Sequence, residues 1–196
     1  MKPKDRLLAE ARIQFAVKGL DRASLSAIAE AIGLTKQILL YHFGTKEKLY
    51  GTVLREIADR HIQVIEEVNT TPGLPAEKLK AIFHASFVNA IANPLEAQLL
   101  MRELLDNESR ARGAHVWYLQ PALELITDLL LSVPAWADTG RAQALLSVYQ
   151  LLGAINYFAI SQPTLEHMFG KRRVSTLKKD FPKQLDILVE AILENT

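Results

Sequence analysis

The stretch SLSAIAEAIGLTKQILLYHFGTKEKLY, residues 24–50, decides the fold of this chain. Its first apolar residues recur at steps of three and four, which gives a short helix one buried face: Leu25, Ile28, Ala29 and Ile32. Gly33 ends that helix, because glycine adopts a positive φ without a steric penalty. Thr35 is a good N-cap for a second short helix, whose Leu39 and Phe43 point inward. The pattern predicts a helix-turn-helix motif.

Two segments of this stretch also resemble a known family. IAEAIGLTKQILLYHFGTKEKLY (residues 28–50) and the overlapping GLDRASLSAIAEAIG (residues 19–33) are similar to the DNA-binding signature of TetR/AcrR-type transcriptional regulators. The resemblance covers about residues 5–55. It implies an N-terminal three-helix DNA-binding domain followed by a larger helical domain that binds a ligand and dimerises. The second motif helix would enter the DNA major groove.

The outward positions of that second helix are the predicted base-reading residues. Gln37 can pair bidentately with adenine, and Lys36 can reach a guanine edge or a phosphate. The resemblance implies phosphate contacts for Tyr41, His42 and Lys46. The complete predicted DNA-binding set is Ser24, Thr35, Lys36, Gln37, Ile38, Tyr41, His42 and Lys46. The alternative for each is a solvated surface residue, or, for His42, a side chain packed beneath the motif.

Ile38 and Leu40 depart from the family pattern. Family members usually have threonine or a small residue at the first position and tyrosine at the second. Both apolar side chains could contact thymine methyl groups or pack within the motif. The operator sequence therefore does not follow from the resemblance.

The charge of the chain is divided unevenly. The net charge is +1, but residues 1–50 carry +4 and the remaining residues carry −3. A basic end on a mildly acidic body is typical of a nucleic-acid module joined to another domain. The chain has no cysteine, which excludes disulfides and thiolate chemistry and suits a reducing compartment. No unbroken apolar run reaches membrane-spanning length, so we expect a cytoplasmic protein without a membrane partner.

Helical periodicity without strand alternation predicts an all-α fold. The expected helices cover residues 4–18, two short segments in 24–43, 46–68, 76–92, a segment after Pro94, a segment in 113–132 that Pro121 kinks or starts, 139–161 and 175–195. HMFGKRR, residues 167–173, is expected to form a loop. The predicted domains are 1–50 for DNA binding, linked through helix 46–68, and 51–196 for effector binding and dimerisation.

The last two helices are predicted to form a homodimer interface. Helix 139–161 is apolar almost all round, and helix 175–195 has an apolar stripe. A helix that is apolar on every side must be covered on every side, and a second copy of the pair would cover it as a four-helix bundle. The alternative is that helix 139–161 is the central helix of the monomer core.

No catalytic or metal-binding motif is present, so an enzyme is not expected and no cofactor is predicted. The resemblance implies a small-molecule effector cavity in the C-terminal domain. Aromatic residues with a few polar neighbours are the predicted lining, as in ligand cavities generally: Phe83, Phe87, Met101, Trp117, Tyr118, Tyr149, Asn156 and Tyr157. The alternative for each, and the commoner role of such residues, is a place in the core.

The sequence thus predicts a ligand-responsive transcriptional regulator, most simply a repressor that a small molecule releases from a palindromic DNA operator. A ligand that prefers a different spacing of the two recognition helices would shift the population and release DNA. The alternatives are a helical protein–protein adaptor without DNA function and a protein that only sequesters a small molecule.

Overall fold

The computed structural model of the chain describes residues 2–106 and 118–194. Within these ranges it contains nine α-helices and no strand. The helices are α1 (Pro3–Arg22), α2 (Leu25–Glu30), α3 (Lys36–Phe43), α4 (Lys46–Thr70), α5 (Pro75–Ala92), α6 (Pro94–Asp106), α7 (Gln120–Leu131), α8 (Arg141–Phe169) and α9 (Lys171–Glu194). A short 3-10 turn, Pro134–Trp136, follows α7. The predicted all-α class is confirmed.

The helices form two compact units. The first unit consists of Met1–Asp59 with Leu95–Tyr118, and the second of Arg60–Pro94 with Leu119–Thr196. The boundary falls within α4, which is continuous from Lys46 to Thr70. The assignment of residues 1–50 to DNA binding and 51–196 to effector binding and dimerisation concerns function and stays a prediction.

The first unit packs around the apolar face of α1. Leu7, Phe15 and Leu39 are completely buried there, and the Phe15 ring meets the Tyr50 ring edge-on at 4.9 Å between centroids. Gly19 has φ 75° and kinks α1 close to where the sequence predicts that the helix ends. The break leaves carbonyls near the kink without intrahelical donors. Arg102 of α6 donates to two of them, Ala16 O at 2.8 Å and Val17 O at 3.0 Å.

The second unit is a bundle of α5, α7, α8 and α9. Three aromatic rings stack in this bundle: the centroid of Phe181 lies 4.9 Å from that of the buried Phe87 and 4.3 Å from that of the half-buried Phe158. Trp136 is buried, and its indole N–H donates to Ile192 O at 2.7 Å. Pro121 occupies the first turn of α7, so it starts that helix rather than kinking it. Residues 113–117 of the predicted segment lie outside the described residues.

The predicted loop at residues 167–173 is wrong. α8 continues to Phe169, α9 begins at Lys171, and only Gly170 separates them. Gly170 has φ 80°, and its N–H donates to Glu166 O at 2.9 Å. A glycine at positive φ closes one helix and redirects the chain within a single residue, so the charged residues on either side remain helical.

One described helix, α8, is long and apolar enough to cross a membrane by length and composition alone. This property was not predicted from the sequence because polar residues such as Gln150 and Asn156 interrupt the apolar run, whereas the mean hydropathy of the segment is high. Only 28% of its most apolar window is buried in the isolated chain. Core helices of soluble proteins also satisfy this length and composition criterion, so the finding is weak evidence for a membrane segment.

Candidate nucleic-acid interface

Hydroxyl side chains begin three helices of the motif. Ser24 Oγ accepts from Ala27 N–H and starts α2, and Thr35 Oγ1 accepts from Ile38 N–H and starts α3, both at 3.4 Å. Thr45 Oγ1 accepts from Lys48 N–H at 3.2 Å and starts α4. The cap predicted at Thr35 is therefore present. Because each hydroxyl accepts from the backbone, its own hydrogen is still able to donate outward to an anion.

The turn between α2 and α3 depends on Gly33, which has φ 73°. Leu34 N–H donates to Ala29 O at 2.9 Å, and Gly33 N–H donates to Glu30 O at 3.0 Å. These bonds satisfy carbonyls at the end of α2. Leu39 and Phe43 are buried below the turn and fix the orientation of α3.

We expect Gly33→Ala to destabilise the protein by about 1 kcal/mol, since a left-handed conformation costs an L-residue about that much. No atom lies within 4 Å of the added methyl group, so the loss reports backbone strain alone. Urea unfolding of the variant and of the wild-type protein measures this loss. A Gly33→Ala variant as stable as the wild-type protein would contradict the assigned turn.

The face of α3 that carries the predicted base-reading residues is exposed. Lys36, Gln37 and Ile38 are exposed, and Tyr41 is 85% exposed. Thr35 is exposed at the beginning of the helix, and Ser24 is exposed at the beginning of α2. The His42 side chain is also exposed, with its ring 5.3 Å from that of Tyr41. Leu40 is partly buried.

Lys46 differs from the other predicted phosphate ligands. Its ammonium group donates to Asp21 O at 3.1 Å and to Ala23 O at 3.4 Å, at the end of α1. These bonds join the start of α4 to the chain segment that precedes α2. Its phosphate role stays a prediction, but any substitution there also removes two hydrogen bonds within the fold.

A partly buried charge cluster joins α1, α4 and α6 within the first unit. The Arg12 guanidinium of α1 pairs with Glu56 of α4 and Glu96 of α6, each at 3.1 Å. Glu96 is buried, as is Glu103 of α6, which accepts a hydrogen bond from the Tyr50 hydroxyl at 2.6 Å. α6 thus binds α1 and α4 through polar contacts that were not predicted from the sequence. The residues of each pair lie more than 40 positions apart, which leaves no local signal.

The described part of the second unit contains a cavity of about 240 Å³ between α4 and α5. Val64 and Ile65 supply apolar lining, and Ser86 and Asn89 supply polar atoms. Arg60 and His61 also line it. None of the seven predicted effector residues that the structure describes lines this cavity, and the ligand role of the whole predicted set stays a prediction.

The structure distributes those predicted effector residues over several places. Phe83 and Phe87 are buried in the core of the second unit, and Asn156 is partly buried. Tyr149 and Tyr157 are exposed on α8. Met101 and Tyr118 belong to the first unit. Trp117 lies outside the described residues.

α8 and α9 leave an extended apolar surface in the second unit. Large apolar side chains are exposed on both helices: Leu146, Tyr149, Tyr157, Met168 and Phe169 on α8, and Leu177, Ile187 and Leu188 on α9. Gly153 lies on α8 between Tyr149 and Tyr157, and no atom lies within 4 Å of where a side chain at this position would begin. Large exposed apolar side chains grouped on two helices make those helices candidates for an interaction site.

Comparison with known proteins identifies the motif. Residues 7–53 match the model of the family described as bacterial regulatory proteins, tetR family. The HTH-type transcriptional repressor KstR2 of Mycolicibacterium smegmatis is 34% identical over 84 residues, which are 43% of this chain and 41% of the repressor. The chain therefore matches about two fifths of the length of this curated relative.

Two solved structures have the same fold along nearly the whole chain. A TetR-family transcriptional regulator from Bordetella parapertussis gives a TM-score of 0.72 at 18% identity, covering 97% of this chain and 94% of the regulator. A TetR-like transcriptional regulator from Rhodococcus sp. RHA1 gives 0.69 at 16% identity, covering 98% and 96%. At these identities the likeness concerns the fold.

Proposed function

We propose that this chain is a sequence-specific DNA-binding transcriptional repressor of the tetR family, because residues 7–53 match the model of that family. The observation that supports this most directly is the exposed face of α3, held on a buried base of Leu39 and Phe43. A helix presented in this way can enter the major groove. The similarity to a curated repressor supports repression over activation.

Within the proposal, Gln37 reads a base, and Lys36 and Ile38 contribute to base or phosphate contacts. The hydroxyls of Ser24, Thr35 and Tyr41 and the His42 ring donate to phosphates, because donors at this edge of the motif fix its register on the duplex. Lys46 contributes to phosphate binding as well, because its hydrogen bonds to Asp21 O and Ala23 O position the chain segment that precedes α2. The protein acts in the cytoplasm, where the operator is.

The proposal is tested by selection of genomic fragments with the full chain, followed by sequencing and salt-dependent gel retardation on the selected site. We expect enrichment of a palindromic sequence and an affinity that falls as salt rises. Enrichment of no sequence, together with no retardation at low salt, would contradict DNA binding and favour an adaptor function.

Two substitutions in α3 should separate base reading from phosphate binding. We expect Gln37→Ala to relax discrimination at one operator position by about 1–3 kcal/mol. Tyr41→Phe removes only a hydroxyl and should weaken binding to every DNA sequence by roughly tenfold, as the loss of a hydrogen bond to a charged group does. Competition titrations with single-base operator variants measure both effects. A sequence-dependent effect of Tyr41→Phe would contradict its phosphate role.

The proposed active form is a homodimer through α8 and α9, which correspond to the segments 139–161 and 175–195 predicted for the interface. The low buried fraction of α8 in the single chain supports a partner copy over the alternative of a central core helix. Two copies would bury the apolar surfaces of both helices in a four-helix bundle. Such a dimer has the two-fold symmetry of a palindromic operator.

Release of DNA by a small-molecule effector completes the proposal. α4 supplies the first turn beside the motif and, through Val64 and Ile65, a wall of the cavity next to α5. A ligand that fits one position of α4 better than another would shift the dimer between two recognition-helix spacings. Screening small molecules for operator release tests this step. A cavity ligand that leaves operator affinity unchanged would contradict it.

A further inference from the structure

A basic groove of about 500 Å³ lies in the first unit, beside the C-terminal end of α3. Residues from α1, α3, α4 and the segment before α7 line it, among them Lys4, His42, Lys48, Thr52, Arg55 and Tyr118. It is open to solvent. Only His42 of these six residues belongs to the DNA-binding set predicted from the sequence.

The three permanent cations of the groove are unneutralised. In the described part of the chain, Lys4, Lys48 and Arg55 form no ion pair with a carboxylate. The Lys4 ammonium lies 6.0 Å from the centroid of the Phe43 ring, and the Arg55 guanidinium lies 5.8 Å from that of Tyr118. Ring faces attract cations without cancelling their charge, so Lys4 and Arg55 are held in place and still able to bind an anion.

Glu47 is the carboxylate on the wall of the groove. Its pKa is lowered, first by a hydrogen bond from its own backbone N–H and then by one from the Thr45 side chain. Both donors belong to the start of α4. The Glu47 carboxylate is therefore ionised at neutral pH and accepts hydrogen bonds from the N-terminal end of that helix. The groove keeps an excess of positive charge.

Gly51 and Tyr118 shape the inner wall. The Tyr118 hydroxyl lies 2.7 Å from where a Cβ of residue 51 would be, so only glycine leaves room for it without a shift. The Tyr118 ring therefore packs against α4 beside Arg55, and both residues line the groove. A phenolic O–H next to a guanidinium is a donor pair suited to phosphate oxygens.

We propose that this groove binds a phosphate group, and that this phosphate belongs to the DNA backbone outside the major-groove contact of α3. The inference rests on the proposed function. His42 connects the two surfaces, since it follows Tyr41 on α3 and also lines the groove. A duplex that lies on the exposed face of α3 and extends past His42 brings the phosphates of its flanking base pairs to Lys4 and Lys48. A free phosphorylated molecule has the same chemistry, and the test distinguishes the two sources.

The main test measures salt dependence with the full chain and the selected operator. The variant Lys4→Ala/Lys48→Ala/Arg55→Ala is compared with Lys171→Ala/Arg172→Ala/Arg173→Ala, which removes the same charge from exposed positions on α9 that precede the segment 175–195 proposed for the dimer interface. We expect the groove variant to flatten the slope of log affinity against log salt by about 0.9 for each phosphate that it no longer neutralises. The α9 variant should keep the wild-type slope. Equal slopes in both variants, with native circular dichroism, would overturn the inference.

Two further arms identify the source of the phosphate. Operators are trimmed to the half-sites or extended by flanks, and wild-type protein should gain affinity from flanks whereas the groove variant should not. Pyrophosphate alone is titrated and followed by NMR. Groove shifts with pyrophosphate and no flank dependence would assign the site to a free phosphorylated molecule and overturn the DNA assignment. If wild-type protein binds no DNA at all, the proposed function is overturned. If it binds the operator with an affinity that does not depend on the flanks, only the DNA assignment of the groove is overturned.

Discussion

Replacing Leu146 and Leu188 by glutamate is expected to convert the proposed dimer into monomers and to weaken operator binding by roughly 100-fold or more. The size follows from avidity, because linking two half-site contacts raises affinity by about 10²–10⁴ over one contact. Leu146 is 62% and Leu188 47% exposed in the single chain. Their replacement therefore removes little packing within a protomer and acts on the interface between copies.

Sedimentation and operator titration measure the two halves of this prediction. The matched control is Val88→Glu on α5, an equally apolar position that is 63% exposed and lies on neither α8 nor α9. The control should remain dimeric with wild-type affinity. A double variant that stays dimeric would mean that α8 and α9 do not form the interface. A monomer that kept full affinity would mean that dimerisation is not needed for DNA binding.

The helix-turn-helix was predictable because its determinants are local. Ser24 and Thr35 each cap a helix that begins at the next residue, and Gly33 adopts the positive φ of the turn between them. The amino acid type at each of these positions fixes the backbone conformation within three or four residues. Sequence reasoning therefore found the helices of the motif and the exposed face of α3.

The contacts of the motif with the rest of the first unit were not predictable in this way. Family resemblance assigns Lys46 to phosphate, yet its ammonium donates to carbonyls 23 and 25 residues earlier in the chain. Arg102 binds carbonyls near the Gly19 kink from 85 and 86 residues away. Such pairs depend on how helices pack, and a single sequence contains no periodic signal for them.

The loop predicted at residues 167–173 failed for a different reason. A glycine between charged residues usually marks a surface loop, and here it marks a one-residue corner. Composition cannot distinguish the two, because both need the same positive φ. The cavity between α4 and α5 was also not predictable from the sequence, since its wall combines residues of both helices that are mostly small or polar.

The charge cluster that joins α1, α4 and α6 has the largest expected effect on stability. We expect Arg12→Met to lower the free energy of unfolding by about 2–3 kcal/mol. Removing one partner of a buried ion pair typically costs about 3–5 kcal/mol, and a somewhat smaller loss is expected because the Arg12 side chain is 25% exposed. Most of the loss comes from Glu96, whose side chain is only 6% exposed and stays buried without the guanidinium.

A double-mutant cycle separates this electrostatic loss from a loss of packing. Arg12→Met/Glu96→Gln removes both charges and should recover most of the stability, because neutralising a buried pair costs far less than breaking it. Glu56→Gln removes the more exposed partner, 39% accessible, and should cost less than about 1 kcal/mol. Additive losses in urea unfolding would mean that Arg12 acts by packing alone.

Since Arg12 joins α1 to α4 and α6, non-additive losses would also assign the charge cluster a role in positioning the helix-turn-helix motif on α4 and α6. In that case Arg12→Met should also weaken operator binding under conditions where it is fully folded. Arg12→Met/Glu96→Gln, which lacks the same charge at residue 12, should bind the operator more tightly than Arg12→Met does.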